Sequence, residues 1–177
     1  MKKINFSVVI TTFNRKTSLI KSLKSVLIQE LKPKEIIIVN NFHDKIFKKD
    51  LKLKNLSNLK IYNLKKNLLS AGGRNYGARK SKYDYIAFLD DDDEWNKFYL
   101  QRAKKIIIKE KSDAVLSNLY FKNIKTKLLK RVEMLNLQEC FKRNPGCMGS
   151  NLIIKKKSFF DLGGFKKDFI PAEDREL

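Results

Sequence analysis

The chain of 177 residues has little of what would place it in several common classes of protein. Its two cysteines, Cys140 and Cys147, and its single histidine, His43, support neither a disulfide framework nor a zinc site. Three prolines and seven glycines argue against a fibrous or linker-rich chain. No apolar run approaches the roughly 18–20 residues that a membrane-spanning helix needs. We expect one globular domain with free thiols, in the cytoplasm.

Acidic residues are also scarce, because 39 lysines and arginines stand against 19 aspartates and glutamates and leave a net charge of +20. Such an excess raises nucleic-acid binding as one class of function. The sequence has no helix-turn-helix, zinc or aromatic stacking motif, and scattered lysines are typical of a solvated surface. We therefore expect no nucleic acid. Peripheral contact with an anionic membrane at its inner face is the other hypothesis that the charge suggests.

Runs of β-branched and aromatic residues alternate with amphipathic helical patterns along the chain. Several runs are continuously apolar, which is typical of strands buried on both faces in a parallel sheet. Strands are predicted at residues 6–10, 36–39, 59–62, 85–89, 114–121, 127–132 and 150–154. Helices are predicted at residues 19–27, 73–80 and 97–111, and residues 42–58 as a loop with a short helix. This order predicts an α/β domain with a mostly parallel central sheet and helices on both faces.

Two details of these helices bear on the site. Thr17 or Ser18 is expected to cap the first helix, and Arg74 and Asn75 are expected in the first turn of the second. The basic, glycine-containing segment 67–79 opens that second helix. Its terminal amides together with Arg74 suit a diphosphate. The glycines match neither the phosphate-binding loop of nucleotide hydrolases nor the dinucleotide fingerprint, so a plain helix start is equally consistent.

Five consecutive acids, residues 90–94, directly follow the strand predicted at 85–89. Asn14 and Arg15 follow the first strand and Asn40 and Asn41 the second, and ligands of such sheets gather at the carboxyl ends of the strands. Clustered carboxylates suit Mg²⁺ or Mn²⁺ bound jointly with a phosphate-bearing substrate. A solvated turn capping the next helix is the alternative, but four aspartates exceed what capping requires. We predict a metal site here.

Taken in order, these segments resemble the nucleotide-sugar domain of family 2 glycosyltransferases. The segments are residues 7–15, 35–39, 74–75, 88–95, 149–151, 162–165 and the acidic pair 173–174. The resemblance runs from Ser7 to the end of the chain and implies the GT-A (nucleotide-diphospho-sugar transferase) fold. It implies one domain over residues 1–177, with a nucleotide-binding part at about 5–95 and an acceptor and catalytic part at about 96–177 that is incomplete at its C-terminus.

The resemblance also implies an inverting, metal-dependent glycosyltransferase and a role for each site residue. Asp92, Asp90 and Asp93 would bind Mn²⁺ or Mg²⁺. Asp174 would be the general base, with Glu173 beside it. Substrate would be contacted by Thr12, Asn14, Arg15, Asn40, Asn41, Arg74, Asp90 and Asp91. The donor would be a nucleoside diphosphate sugar, a UDP-sugar by resemblance, and the acceptor a glycan or lipid-linked hydroxyl in surface polysaccharide, lipopolysaccharide or other glycan synthesis.

Two departures from the family pattern leave alternatives open. Asn40 and Asn41 stand where the family has an acidic pair that contacts the nucleobase, although an amide can also donate and accept hydrogen bonds. The chain ends three residues after Asp174, where family members continue. A sugar-nucleotide-binding fragment without catalytic activity is therefore the second hypothesis. A solvated helix start after Pro171 is the alternative interpretation of the acidic pair.

Overall fold

The computed structural model describes residues 4–120, 128–130 and 149–166. Its strands are Phe6–Thr12 (β1), Glu35–Asn40 (β2), Leu59–Asn63 (β3), Tyr85–Asp90 (β4), Ala114–Leu116 (β5), Leu119–Tyr120 (β6), Leu128–Lys130 (β7) and Leu152–Lys155 (β8). Its α-helices are Lys16–Leu27 (α1), Leu69–Lys80 (α2), Tyr99–Glu110 (α3) and Lys156–Asp161 (α4), with short 3-10 helices at Lys48–Leu51 and Gly149–Asn151. None of the helices in these ranges combines the length and the apolar character that crossing a bilayer requires.

Six strands form one sheet in the order β3-β2-β1-β4-β8-β5. Strand β1 pairs in parallel with β2 and β4, and β2 pairs in parallel with β3. Strand β8 runs antiparallel to both β4 and β5, while β6 and β7 form a separate antiparallel pair. The prediction of an α/β domain with a mostly parallel central sheet is confirmed.

Helices cover both faces of this sheet, which explains why its central strands are continuously apolar. Every residue of β1 and β2 is buried. Val8 belongs to a core cluster that also contains residues of α1 and α3, whereas its neighbour Val9 belongs to a second cluster with residues of α2 and α4. Successive side chains of a strand point to opposite faces, so β1 contributes to both cores.

Helix α2 lies unusually close to the sheet at Gly77. A Cβ atom at this position would lie 2.3 Å from Cγ1 of Val9 and 3.2 Å from Cγ2 of Val39. Only glycine permits this approach of helix backbone to strand side chains. The close packing brings the middle of α2, with Arg74 and Asn75, against the carboxyl half of the sheet.

The predicted starts of the first two helices are wrong. Helix α1 begins at Lys16 and no side chain caps it, so neither Thr17 nor Ser18 is the cap. Helix α2 begins at Leu69, four residues before the predicted start, which moves Arg74 out of the first turn. The earlier start is explained by Asn41, whose side chain accepts a hydrogen bond from the Leu68 amide and donates one to the Leu69 carbonyl.

The later strands also differ from their predicted limits. The strand predicted at 114–121 is divided into β5 and β6, because Ser117 leaves the ladder and pairs with Asn151. The strand predicted at 150–154 begins only at Leu152, after a 3-10 turn. Strand β7 falls within the predicted segment 127–132, of which only residues 128–130 are described. The short helix predicted within residues 42–58 is confirmed as the 3-10 helix at Lys48–Leu51.

A buried carboxylate at the start of β2 links three strands at the amino edge of the sheet. Glu35 accepts hydrogen bonds from the hydroxyl of Ser7 and the backbone amide of Lys82, both at 2.9 Å, and from the ammonium of Lys60. Burial raises the pKa of the Glu35 carboxyl, but these three hydrogen bonds outweigh it and hold the pKa below the ordinary value of 4.5. The folded state therefore favours the ionised form.

Glu35→Gln is expected to lower the free energy of unfolding at pH 7 by about 1–2 kcal/mol. Because the folded-state pKa is depressed, the contribution of Glu35 is complete above the ordinary value of 4.5 and is lost as the pH falls through it toward the folded-state pKa. Urea unfolding between pH 7 and pH 3 measures this, and the difference between variant and wild type should shrink at the acid end. The exposed Glu30→Gln is the control, and an equal effect of both variants would contradict the prediction.

Candidate active site

The carboxyl ends of β1, β2 and β4 meet at one edge of the sheet, as the sequence predicted. In the strand register, Thr12 lies beside Asn40, and Thr11 lies beside Asp90. The turn after β1, the loop after β2 and the acidic run after β4 are therefore neighbours. The predicted gathering of these three groups at the carboxyl edge is confirmed.

Asp91 is fully buried and joins the acidic run to the turn after β1. It accepts a hydrogen bond of 2.6 Å from the hydroxyl of Thr12, and Nη2 of Arg15 lies 2.6 Å from its other oxygen. Burial raises the pKa of the Asp91 carboxyl, and the hydrogen bond from Thr12 and the charge of Arg15 oppose this rise. The polar groups of Thr12 and Asp91 are thus directed at each other. Their contact with substrate stays a prediction.

Asp92 lies next to Asp91 but faces solvent. Its side chain is 53% exposed, and Nη1 of Arg15 lies 2.7 Å from one of its oxygens. Arg15 therefore bridges the buried and the exposed carboxylate, and its contact with substrate stays a prediction. The result is an accessible carboxylate whose position is held by a neighbouring cation, which is the arrangement expected of a metal ligand.

Asp90 is held by a buried arginine from α2. One terminal nitrogen of Arg74 lies 2.8 and 3.0 Å from the two oxygens of Asp90, and the Arg74 side chain is only 6% exposed. The guanidinium lies over the ring of Phe165, 5.2 Å from its centroid. A Cβ atom on residue 149 would lie 2.2 Å from Nη2 of Arg74, so the glycine there leaves room for the guanidinium. In this arrangement Arg74 positions Asp90, and its contact with a base or diphosphate stays a prediction.

Ser150 organises the other side of the acidic run. Its hydroxyl accepts a hydrogen bond of 3.0 Å from the backbone amide of Asp90, and its carbonyl accepts one of 2.9 Å from the indole of Trp95. Ser150 also hydrogen-bonds Asp93. Desolvation and the nearby carboxylates of Asp90 and Asp92 raise the pKa of the Asp93 carboxyl, against the hydrogen bond that lowers it. The site thus disfavours the charged form of Asp93, as it does that of Asp91.

The three predicted metal ligands do not form a complete cage. Across the residues that the structure describes, no group of three or more histidine, cysteine, aspartate or glutamate side chains stands ready to hold a metal ion. The exposed oxygens of Asp90 and Asp92 nevertheless fit one kind of site. Mg²⁺ in particular is bound in many enzymes by one or two carboxylates with the remaining ligands from substrate phosphates and water. The carboxylates present fit a cation that arrives with a phosphorylated ligand.

Asn40 and Asn41 do not present their amides to the site. The Asn40 side chain, 1% exposed, donates to the Asp44 carbonyl and the Asn63 side chain and accepts from the Phe42 amide. Asn41, 5% exposed, bonds the backbone at the start of α2. Both amides thus shape the loop after β2, and their contact with a nucleobase stays a prediction.

Asn14 is exposed and has a left-handed backbone, with φ at 53°. Asparagine tolerates this conformation better than most residues. The turn lets the chain pass directly from β1 into α1 and places Arg15 at the acidic run. Contact of the Asn14 side chain with substrate stays a prediction.

Sequence reasoning missed an aromatic pair at the same edge. Phe13, 46% exposed, meets Phe42 edge to face with ring centroids 5.1 Å apart. The sequence contained a signal for this pair. Phe13 stands between the polar residues Thr12 and Asn14 in the turn after β1, where no buried side chain is required. The role of Ser150 was also missed, since it was named only as part of a motif. It hydrogen-bonds the acidic run from 60 residues away in the sequence, and no local pattern indicates such a contact.

The chain returns to the site at Phe165. The side chain of Asn75 accepts a hydrogen bond from the Phe165 amide and donates one to its carbonyl. Gly164, with φ at +71°, makes room for this contact, since a Cβ there would lie 2.7 Å from Oδ1 of Asn75. The predicted catalytic residues Glu173 and Asp174 lie outside the described residues, as do Cys140 and Cys147.

Two curated glycosyltransferases are similar to this chain in sequence. The amylovoran biosynthesis glycosyltransferase AmsB of Erwinia amylovora is 37% identical over 114 residues, 60% of this chain and 37% of AmsB. The uncharacterized glycosyltransferase YwdF of Bacillus subtilis is 33% identical over 115 residues, 65% of this chain and 42% of YwdF. The chain thus spans about two fifths of the length of these curated relatives.

Two solved structures share the fold. Residues 1–349 of S. aureus TarS, in complex with UDP-GlcNAc, superpose with a TM-score of 0.77 at 23% identity, over 97% of this chain and 51% of that one. The mannosyltransferase PcManGT of Pyrobaculum calidifontis, in complex with GDP-Man and Mn²⁺, gives 0.71 at 16% identity, over 99% of this chain and 51% of that one. At these identities the likeness concerns the fold, which is GT-A as predicted. The model of Glycosyl transferase family 2 matches residues 7–165, most of the chain, and the protein therefore belongs to that family.

Proposed function

We propose that this chain binds a nucleoside diphosphate sugar together with a divalent cation and transfers the sugar, with inversion, to a hydroxyl acceptor. The observation that carries the proposal is the pair of accessible carboxylates Asp90 and Asp92, each held at the carboxyl edge by its own arginine. Family membership supports the transferase chemistry. The whole protein's activity is a proposal, because the chain spans about two fifths of its curated relatives.

Asp90 and Asp92 would hold Mn²⁺ or Mg²⁺, with Asp93 beside them. A bound cation would neutralise the charge that develops on the departing diphosphate. Arg74 and Arg15 contribute by holding these carboxylates in place before the donor arrives, so that little ordering is left for the binding step. PcManGT, solved with Mn²⁺, supports the choice of metal.

The donor's nucleobase would lie at the turn after β1. Phe13 offers an exposed aromatic face there, beside the exposed Asn14. A base stacked on an aromatic ring gains binding energy whatever its hydrogen-bonding edge. Since Asn40 and Asn41 are used within the protein, base identity would depend on other groups. TarS was solved with UDP-GlcNAc and PcManGT with GDP-Man, so uridine and guanosine donors are both candidates, with a UDP-sugar as our first choice.

Asp174 would deprotonate the acceptor hydroxyl, and Glu173 beside it would raise the pKa of Asp174 toward working pH by like-charge repulsion. The hydroxyl oxygen then attacks the anomeric carbon from the face opposite the leaving diphosphate. One displacement of this kind inverts the anomeric centre. The acceptor would be a glycan or a lipid-linked hydroxyl in surface polysaccharide, lipopolysaccharide or related synthesis, and the enzyme would work in the cytoplasm or peripherally at the inner face of the membrane.

Isothermal calorimetry of the full chain with UDP, GDP and their sugar conjugates tests the donor proposal. We expect saturable binding of at least one of them in the presence of Mn²⁺ and binding at least about tenfold weaker after EDTA treatment. Binding that is equally tight without a divalent cation would contradict the metal. Binding of none of these ligands would contradict the donor class.

A product assay with an excess of the bound sugar nucleotide separates the two remaining alternatives. Release of the nucleoside diphosphate with formation of a glycosylated product supports transfer. Tight donor binding with no transfer to any hydroxyl acceptor and no hydrolysis would favour the sugar-nucleotide-binding fragment. Tight, salt-sensitive binding to duplex DNA instead of to nucleotides would favour the nucleic-acid class.

A further inference from the structure

A second cavity lies at the amino edge of the sheet, opposite the acidic run. Its volume is about 750 Å³. It is bounded by the start of β4, by the C-terminal end of α3 and by the junction of β8 with α4. Because β4 begins here and ends at Asp90, the two sites are separated by the full length of this strand, about 20 Å.

Lysines dominate the charged lining of this cavity. They are Lys82, Lys111, Lys155, Lys156 and Lys157, against two acidic residues, Asp84 and Asp113. Asp113 is paired with the ammonium of Lys155 at 2.8 Å and also accepts a hydrogen bond from Ser158. The lining keeps a clear positive excess after this pairing.

The five lysines differ in how far their charge is already used. Lys156 donates to the Ser81 carbonyl, and Lys157 pairs with Asp161 at 2.6 Å. Lys82 and Lys111 are exposed, and within the described part of the chain their ammonium groups have no ion-pair or hydrogen-bond partner. Two cations at the rim are therefore available to an anion.

The same region has apolar side chains. Ile4, Tyr85, Ile107 and Ile108 line the cavity. Tyr85 and Ile107 are buried, whereas Ile108 is 46% exposed and lies one turn before Lys111 on the same side of α3. Exposed aliphatic side chains beside lysines are typical of surfaces that enter the interface of a bilayer, where the ammonium groups meet phosphates and the aliphatic groups enter the acyl boundary.

We propose that this cavity and the adjoining face of α3 form a docking surface for anionic phospholipid. Lys82 and Lys111 bind the headgroup phosphate, and Ile108 inserts beside it. Lipid fits the site better than nucleic acid does, because the lining offers aliphatic groups and lysines and no arginine. The surface is independent of the donor site, so a failure of either proposal leaves the other standing. Docking here would direct the acidic run away from the bilayer, toward acceptor hydroxyls on an extended glycan.

Co-sedimentation of the full chain with vesicles tests this surface. We expect binding to equimolar phosphatidylcholine and phosphatidylglycerol, little binding to phosphatidylcholine alone, and loss of binding at raised salt. Lys82→Glu with Lys111→Glu should weaken binding to the anionic vesicles by about tenfold or more. Ile108→Ser should weaken it with the charge unchanged. These three side chains are exposed, so the variants are expected to fold, which circular dichroism checks.

The matched control reverses two other exposed lysines, Lys65 and Lys66, which follow β3 at the opposite edge of the sheet. Lys65→Glu with Lys66→Glu changes the net charge equally and should retain most of the vesicle binding. Equal loss in both charge variants would indicate a general charge effect and overturn the proposal. Equal binding to neutral and anionic vesicles would also overturn it. So would a Lys82→Glu, Lys111→Glu variant that binds duplex DNA more weakly but binds vesicles as the wild type does. A third contrary result is self-association that Ile108→Ser abolishes, with no lipid binding by the wild type.

Discussion

Asp91→Asn is expected to lower the free energy of unfolding by about 3 kcal/mol, whereas Asp92→Asn at the next position should change it by less than about 0.5 kcal/mol. The two aspartates are adjacent in sequence, and both contact Arg15. They differ in burial, since the side chain of Asp91 has no exposed surface and that of Asp92 is 53% exposed. Urea unfolding at pH 7 measures both effects.

The physical reason lies in what each substitution leaves behind. An asparagine at position 91 that keeps its oxygen toward Thr12 and Nε of Arg15 places its NH₂ group where Oδ1 stood, 2.6 Å from Nη2 of Arg15. Two donor groups then face each other, and the buried NH₂ group has no acceptor. Leaving such a group unpaired costs most of its desolvation energy. An exposed ion pair such as Arg15 with Asp92 contributes little, because water replaces the lost partner.

The substitution that barely changes stability, Asp92→Asn, should have the larger effect on ligand binding. Asp92→Asn is expected to weaken metal-dependent binding of the nucleoside diphosphate by at least about tenfold, because it removes an accessible carboxylate beside the diphosphate. The control is Asp161→Asn, which removes a carboxylate of similar exposure on α4. If Asp92→Asn destabilised the fold as much as Asp91→Asn, or left metal-dependent binding intact, the division of roles between the two aspartates would be wrong.

Asp174→Asn is expected to reduce transfer by about a hundredfold or more while changing donor affinity by less than about twofold. An asparagine cannot take the proton of the acceptor hydroxyl, but it leaves the metal and diphosphate contacts of the proposed donor site unchanged. Initial rates of product formation and calorimetry with the donor, measured on the same preparation, separate the two effects.

The described residues nearest to Asp174 in the sequence lie at the proposed donor site. Asn75 holds Phe165 by both backbone groups, and the Phe165 ring lies against Arg74, the partner of Asp90. Asp174 follows Phe165 by nine residues in the sequence. The choice of Asp174 as the base rests on the family resemblance.

Asp168→Asn is the matched control, because it removes another aspartate from the same C-terminal segment. It should retain transfer close to that of the wild type. Full activity of Asp174→Asn would remove this residue from its proposed role.

Much of the fold was predictable because burial on both faces leaves a local mark on the sequence. The apolar runs of β1, β2 and β4 are continuous, and they became the wholly or largely buried centre of the sheet. The gathering of Asn14, Arg15 and the acidic run at one edge also followed, because parallel strands present their carboxyl ends together. These properties depend on the order of residue types along the chain and not on specific contacts between side chains.

The roles of individual polar side chains were less predictable. Arg74 was expected to meet the donor, and its burial against Asp90 was not foreseen. The predicted start of α2 was too late because the residue that shapes it, Asn41, is distant in sequence. In each case the partner is set by which backbone and side-chain groups come within about 3 Å, and nothing in the local sequence records this.

The order of residue types was sufficient to indicate the sheet, the edge at which ligands bind, the excess of positive charge and the residues from which a site would be built. Tertiary packing decided which of those residues remain accessible. Among four consecutive aspartates, identical in chemistry, it directed Asp91 inward to Thr12 and Arg15 and left Asp92 outside. The reason is that burial and pairing are properties of contacts between distant segments, and these exist only once the strands are assembled.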